Sequence, residues 1–115
     1  MNTKLAILGC GNIGSALAFG LLEYGKTKSE NLTLTRRKVD ELIQFKELGC
    51  RVTADNCEAV KASDVIICAV IPTKMKDLLQ DIRDVLNPGK HILISTVSGV
   101  SIKDIREEID ANIPV

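Results

Sequence analysis

Apolar residues along this chain follow two alternating rhythms. Short apolar runs of strand length occur at Leu5–Leu8, Asp64–Val70 and His91–Thr96, and Leu32–Thr35 and Arg51–Thr53 read as further short strands. Between them, apolar residues recur every three or four positions. The first rhythm predicts strands and the second predicts amphipathic helices. The first helix is expected over about Asn12–Tyr24, with Ile13, Leu17, Gly20, Leu21 and Tyr24 on one face, and Gly25 ends it. The polar segment Lys26–Glu30 reads as a loop. A second helix is expected over about Val39–Leu48, with Val39, Leu42, Ile43 and Lys46 on one side and Gly49 as its stop. Asp55 or Asn56 can cap a brief helix through Val60 and Lys61. Pro72-Thr73 starts another, in which Met75, Leu78, Leu79, Ile82 and Leu86 share a face before the Asn87-Pro88-Gly89 turn. Ser101, with Asp104 three residues on, opens a last helix carrying Ile102, Ile105 and Ile109. Asn112–Val115 then leads outward.

The junction of the first strand and first helix carries the strongest signal. Leu8-Gly9-Cys10-Gly11-Asn12-Ile13-Gly14 sits between an apolar run and a helix-compatible segment rich in small residues. In that setting each glycine has a physical task. Gly9 allows the sharp turn, Gly11 leaves room for a diphosphate against the main chain, and Gly14 lets the helix pack closely on the strand. The free amides and positive dipole end of the helix then face the phosphates.

Alternating strands and helices without a hairpin signal imply a parallel sheet with right-handed crossovers. The expected fold is α/β: a Rossmann-like, doubly wound sheet of order 3-2-1-4-5, forming a single three-layer domain over residues 1–115. Asp64–Val70 is apolar on both faces, as a central strand covered on both sides should be. Ligands of such sheets bind at the carboxyl edge, at the switch point between strands 1 and 4. Loops 9–14, 69–72 and 96–99 all belong to that edge.

The end of strand 2 bears on cofactor choice. Thr35 lies twenty-one residues after Gly14, where a dinucleotide fold would carry an acid for the ribose 2′-hydroxyl. This chain has Thr35-Arg36-Arg37-Lys38 instead. A carboxylate would repel a 2′-phosphate, whereas an arginine can grip one through charge-assisted bidentate bonds. The expected cofactor is therefore NADP, with NAD still possible.

Composition narrows the partners. The 115 residues include 15 basic and 15 acidic side chains, so the formal net charge is zero. With aromatics at 3% and no tryptophan, neither a basic face nor stacking platforms for nucleic acid are expected. Cys10, Cys50, Cys57 and Cys68 match no metal-ligand spacing and read as reduced thiols. No metal site is expected. There is no leader pattern, and the longest apolar run, Val65–Ile71, is too short to span a bilayer. The expected location is the cytoplasm. His91, the one histidine, opens a strand after a turn and is expected at the surface. No catalytic acid, base or nucleophile set is visible, which agrees with hydride transfer, where a bound cofactor is positioned against a small-molecule substrate.

Three further segments, with the glycine turn, carry a resemblance. These are Val52-Thr53-Ala54-Asp55-Asn56, Cys68-Ala69-Val70-Ile71-Pro72 and Ser95-Thr96-Val97-Ser98-Gly99-Val100. Together, in order and spacing, they resemble the N-terminal NAD(P)-binding domain of the pyrroline-5-carboxylate reductase family over essentially the whole chain. That resemblance implies hydride transfer to the C=N bond of 1-pyrroline-5-carboxylate, giving L-proline. By position it implies Leu8 to Gly14 at the diphosphate, Thr35, Arg36 and Arg37 at the 2′-phosphate, and Asn56 by the adenosine half. Ala69, Val70, Ile71 and Pro72, with Val97, Ser98 and Gly99, would border the nicotinamide half. The family often carries Lys at the place of Ile71, and two small residues where this chain has Val97 and Ser98. Members continue into a helical domain that dimerises and supplies most of the substrate pocket. On that resemblance, this chain is the cofactor half, inactive by itself, and a homo-oligomer is expected only with the further domain. Two other functions share the glycine turn. One is another NADP-dependent reductase, such as a deazaflavin-dependent enzyme. The other is a stand-alone nucleotide-sensing module, which usually carries an acid after strand 2.

Overall fold

The first apolar run becomes the middle of the sheet because every side chain in it can be covered from both faces. In the computed structural model, which describes residues 3–25 and 27–115, the strands are β1 (Leu5–Leu8), β2 (Leu32–Thr35), β3 (Arg51–Thr53), β4 (Val65–Cys68) and β5 (Ile92–Ser95). They form one parallel sheet of order β3-β2-β1-β4-β5. This is the expected Rossmann-like arrangement. The register aligns Leu8 with Cys68, Cys68 with Ser95, and Thr35 with Thr53. The loops that follow these residues therefore open at one carboxyl edge. Lys26, part of the expected loop 26–30, lies outside the described residues.

Five α-helices are present among the described residues: α1 (Asn12–Glu23), α2 (Ile43–Glu47), α3 (Asn56–Lys61), α4 (Met75–Ile82) and α5 (Ile102–Arg106). Alternate strand residues divide the core in two. Ala6, Leu8, Ile66, Cys68 and Leu93 face α3, α4 and α5 through Ala59, Val60, Met75, Leu79, Ile82 and Ile105. Ile7, Leu32, Leu34 and Ile67 face α1, α2 and the turn before α2 through Ala18, Phe45 and Leu42. Full burial of each leucine, isoleucine, valine, methionine or phenylalanine among them stabilises by about 1.5–3 kcal/mol. The apolar repeat of α4 and its continuation, Met75 to Leu86, is buried as its spacing predicts.

Several expectations are corrected. On α1 the buried positions are Gly14 and Ala18, with Leu17, Leu21 and Leu22 partly buried, while Ile13 and Tyr24 are exposed. The sheet selects the side of small residues because they let the helix approach closely. The second helix begins as a 3-10 turn, Val39–Leu42, before α2. Leu42 and Phe45, three positions apart, face inward, where the Phe45 ring centroid lies 4.5 Å from that of Phe19, while Ile43 and Lys46 are exposed. β4 and β5 are each shorter than the apolar runs that contain them. The tail does not lead outward. Ile113 is fully buried, and the Pro114 carbonyl accepts from Leu93 N–H at 2.8 Å along β5.

His91 is not a surface residue; it is 3% exposed. Asn87 N–H donates to its Nδ1 at 2.8 Å, and its Nε2–H donates to the Val60 carbonyl at 3.0 Å. Those two bonds require the neutral ring with its proton on Nε2, and burial holds its pKa below the ordinary 6.5. In the unfolded chain the ring gains a proton near its ordinary pKa, so acid favours unfolding through this group. Stability should therefore fall as the pH drops below the ordinary value of 6.5 and be insensitive to His91 above it. Thermal melts over about pH 5 to 8 check this, and His91→Gln should remove that part of the pH dependence.

Candidate functional site

Gly9 ends β1 with φ +74°, a conformation open to glycine and costly for other residues. Its N–H donates to Thr35 Oγ1 at 3.0 Å, and Cys10 N–H donates to the Thr35 carbonyl at 2.7 Å. The end of β2 thus holds the start of the glycine turn. Thr35 Oγ1–H in turn donates to Asn56 Oδ1 at 2.5 Å, so one hydroxyl ties together the loops after β1, β2 and β3. Thr35 is 1% exposed, and its hydroxyl serves the turn rather than facing solvent. Asn56 is free for this bond because Asp55, not Asn56, caps α3, accepting from Glu58 N–H at 3.1 Å.

The helix that follows starts without a side-chain cap. Its first backbone bond runs from Ser15 N–H to the Gly11 carbonyl at 2.8 Å. By helix geometry this leaves the amides of Asn12, Ile13 and Gly14 without intrahelical partners, at the positive end of the dipole. Among the described residues, a Cβ on Gly11 would meet no atom within 4 Å beyond its own chain neighbours. No packing contact among the described residues asks for glycine there; the open space above it is what a close-approaching phosphate group would use. A Cβ on Gly14 would lie 3.2 Å from Ile7 Cγ2 and 3.4 Å from Ala69 Cβ, which fits its task of close helix–strand packing.

Two grooves meet at this turn. The larger, of about 620 Å³, lies between Gly9, Gly11, Arg36, Arg37 and Asn56 on one side and Val70, Ile71 and Leu78 on the other. The second, of about 360 Å³, runs from Asn12 and Ile13 past Ala69–Pro72 to Thr96, Val97 and Ser98. Gly9, Gly11, Val70 and Ile71 belong to both. A long two-part ligand could therefore lie across the turn with one end in each groove. The far loop is held by Thr96 Oγ1 donating to the Cys68 carbonyl at 3.1 Å and by Val97 N–H donating to Ser95 Oγ at 3.1 Å.

Of the residues singled out in the sequence, Gly9, Gly11, Asn12, Ile13, Arg36, Arg37, Asn56, Ala69 to Pro72, Val97 and Ser98 line one or both grooves. Leu8, Cys10 and Thr35 are buried beneath the turn, and Gly14 packs against β1. Gly99 adopts φ +78° just beyond the second groove. The Cys10 side chain is buried, while its carbonyl accepts from Arg36 Nη1 at 3.4 Å. Arg36 also forms an ion pair with Glu41, whereas Arg37 is exposed. Sequence reasoning missed Glu41, and it missed Lys74, Asp77, Leu78 and Asp81 on the groove wall. The latter four recur at i, i+3, i+4 and i+7, a helical-face signal hidden by the stronger apolar repeat one position on.

The four cysteines are free thiols. Cys68 is fully buried and its pKa is pushed up to about 12 by burial. Among the described residues, no cluster of His, Cys, Asp or Glu could hold a metal ion, and no helix is long and apolar enough to cross a membrane.

Residues 4–99 match the family model described as NADP oxidoreductase, coenzyme F420-dependent. Over 111 residues the chain is 39% identical to pyrroline-5-carboxylate reductase 1 of Dictyostelium discoideum, covering 96% of this chain and 20% of that protein. A solved pyrroline-5-carboxylate reductase from Coxiella burnetii superposes with a TM-score of 0.88 at 27% identity, covering 96% of this chain and 41% of that one. The Plasmodium falciparum pyrroline carboxylate reductase, solved with NADP bound, gives a TM-score of 0.82 at 30% identity, covering 96% and 39%. The chain thus spans well under half the length of each of these relatives.

Proposed function

Because the chain belongs to the family of coenzyme F420-dependent NADP oxidoreductases, we propose that it is the cofactor-binding part of an NADP-dependent reductase acting on a C=N bond. The substrate is a small cyclic imine, 1-pyrroline-5-carboxylate, and the product is L-proline. The observation that carries the cofactor assignment is the pairing of an uncapped, glycine-opened helix start with Arg36 and Arg37 at the rim of the same groove. The relatives named pyrroline-5-carboxylate reductase support the substrate assignment.

The residues present fit the nucleotide. The amides of Asn12, Ile13 and Gly14 and the open space over Gly11 would receive the diphosphate. Arg36, whose guanidinium already lies over the Cys10 carbonyl, would take the 2′-phosphate, with Arg37 beside it. Thr35 acts through others, holding Gly9 and Asn56 in place. Val70, Ile71 and Leu78 offer an apolar wall to the adenosine half. Ala69 to Pro72, Val97 and Ser98 border the nicotinamide half. When bound, the cofactor supplies the hydride. This chain's part is to bind it, to orient its two halves across the glycine turn, and to keep water from the buried side of the second groove. The free thiols fit a reducing compartment such as the cytoplasm.

The test is a paired titration with NADPH and NADH followed by cofactor fluorescence. NADPH should bind at least about tenfold more tightly, as one charge-assisted contact supplies. Equal binding, or tighter NADH, would remove the 2′-phosphate assignment. Binding of neither would remove the cofactor reading altogether.

A further inference from the structure

We propose that Glu41 sets how strongly this site prefers a 2′-phosphate, because it holds the Arg36 guanidinium in competition with that group. The inference rests on the cofactor reading above and concerns a residue to which that reading gives no role.

The acid absent from the end of β2 returns six residues later by another route. Leu42 is fully buried and anchors the 3-10 turn Val39–Leu42, and Glu41 N–H donates to the Lys38 carbonyl at 3.1 Å. The turn folds back over the end of β2, and the Glu41 carboxylate pairs with Arg36 Nη2. Arg36 Nη1 meanwhile lies 3.4 Å from the Cys10 carbonyl. The guanidinium is thus held between a neutral oxygen of the glycine turn and one full negative charge.

Both partners are partly open to solvent, at 35% and 43% side-chain exposure, so the pair contributes little to folding. Its consequence falls on the ligand. A phosphate that takes the outer face of Arg36 must displace Glu41 or sit beside it. Displacement costs the ion pair, and co-occupancy sets like charges a few ångströms apart. Either way the carboxylate weakens the grip on a 2′-phosphate. A nucleotide with a free 2′-hydroxyl meets no such penalty, since a carboxylate can accept a bond from that hydroxyl. Glu41 is therefore a specificity residue acting mainly through Arg36, and it moderates the preference that the two arginines create.

The experiment compares wild type, Glu41→Gln and Glu41→Lys by titration with NADPH and NADH, and with 2′,5′-ADP and 5′-ADP as fragments. Glu41→Gln should tighten NADPH and 2′,5′-ADP about three- to tenfold, which is about 0.7–1.4 kcal/mol at ~1.4 kcal/mol per tenfold. NADH and 5′-ADP should change less than about twofold on the same scale. The gain should be larger at low salt, larger again in Glu41→Lys, and smaller in an Arg36→Ala background. Melting temperatures should be unchanged, because the side chain is on the surface. If NADPH affinity is unchanged or weaker in Glu41→Gln while both nucleotides still bind, the Glu41 assignment fails and the cofactor reading stands. If wild type binds none of the four, both fail together.

Discussion

Replacing Gly9 with alanine should destabilise the protein by about 2–5 kcal/mol and remove nucleotide binding. Two independent costs meet at this residue. The backbone sits at φ +74°, where an L side chain costs about 1–2 kcal/mol. The new Cβ would lie 2.1 Å from Val70 Cγ1 and 3.2 Å from Val70 Cα, so rotating the valine relieves only part of the clash. Overpacking of this kind adds about 1–3 kcal/mol. Against the roughly 5–15 kcal/mol of a typical domain this is a large fraction. Urea denaturation checks it through a lower midpoint at unchanged slope. Gly11→Ala is the matched control, because its Cβ meets nothing within 4 Å. Its melting curve should stay within about 0.5 kcal/mol of wild type, while its nucleotide affinity falls. Val70→Ala in the Gly9→Ala background should recover part of the loss, since the two residues share one contact.

Arg36→Ala should weaken NADPH binding about tenfold to a hundredfold and leave NADH within about twofold, the range for loss of a charge-assisted contact worth roughly 1.5–3 kcal/mol. Arg37→Ala should lower NADPH affinity less. Arg36 is held over the glycine turn by the Cys10 carbonyl, whereas Arg37 is exposed at the groove rim. An anchored guanidinium loses less freedom on meeting a phosphate than a mobile one. Titration of the two variants against both cofactors decides the point. An equal loss for NADPH and NADH would mean that Arg36 supports the turn and does not read the 2′-phosphate.

The strand-and-helix order and the sheet order β3-β2-β1-β4-β5 were legible from residue pattern. The unbroken apolar runs of β1 and β4, joined to the other strands by periodic stretches, leave few other ways to bury both faces of these central strands. The glycine turn was legible for the same reason: its spacing encodes a backbone path that few residue types can follow. The Ser101–Asp104 capping box was equally local, and both of its bonds are formed, at 3.1 Å and 3.0 Å. The bond from Ser101 N–H holds the Asp104 carboxyl below its ordinary pKa.

Other features depended on contacts between distant segments. Which side of α1 faces the sheet was decided by the closeness that Gly14 and Ala18 permit, against an apolar stripe through Ile13 that reads equally well in one dimension. Phe45 entered the core because Phe19 of α1 and the sheet face of Leu32 and Leu34 meet it there. His91 became an interior bridge because Asn87 and Val60, four and thirty-one residues away, both reach its ring. The site divides in the same way. That Arg36 and Arg37 stand where an acid would was readable in the sequence. That Thr35 turns inward to hold Gly9 and Asn56, and that Glu41 returns to occupy Arg36, was decided by the tertiary structure. Periodicity and turn chemistry are properties of neighbours along the chain, so the sequence carries them in full. Hydrogen bonds and ion pairs between separate loops depend on where the sheet edge brings those loops, and only the folded chain determines that.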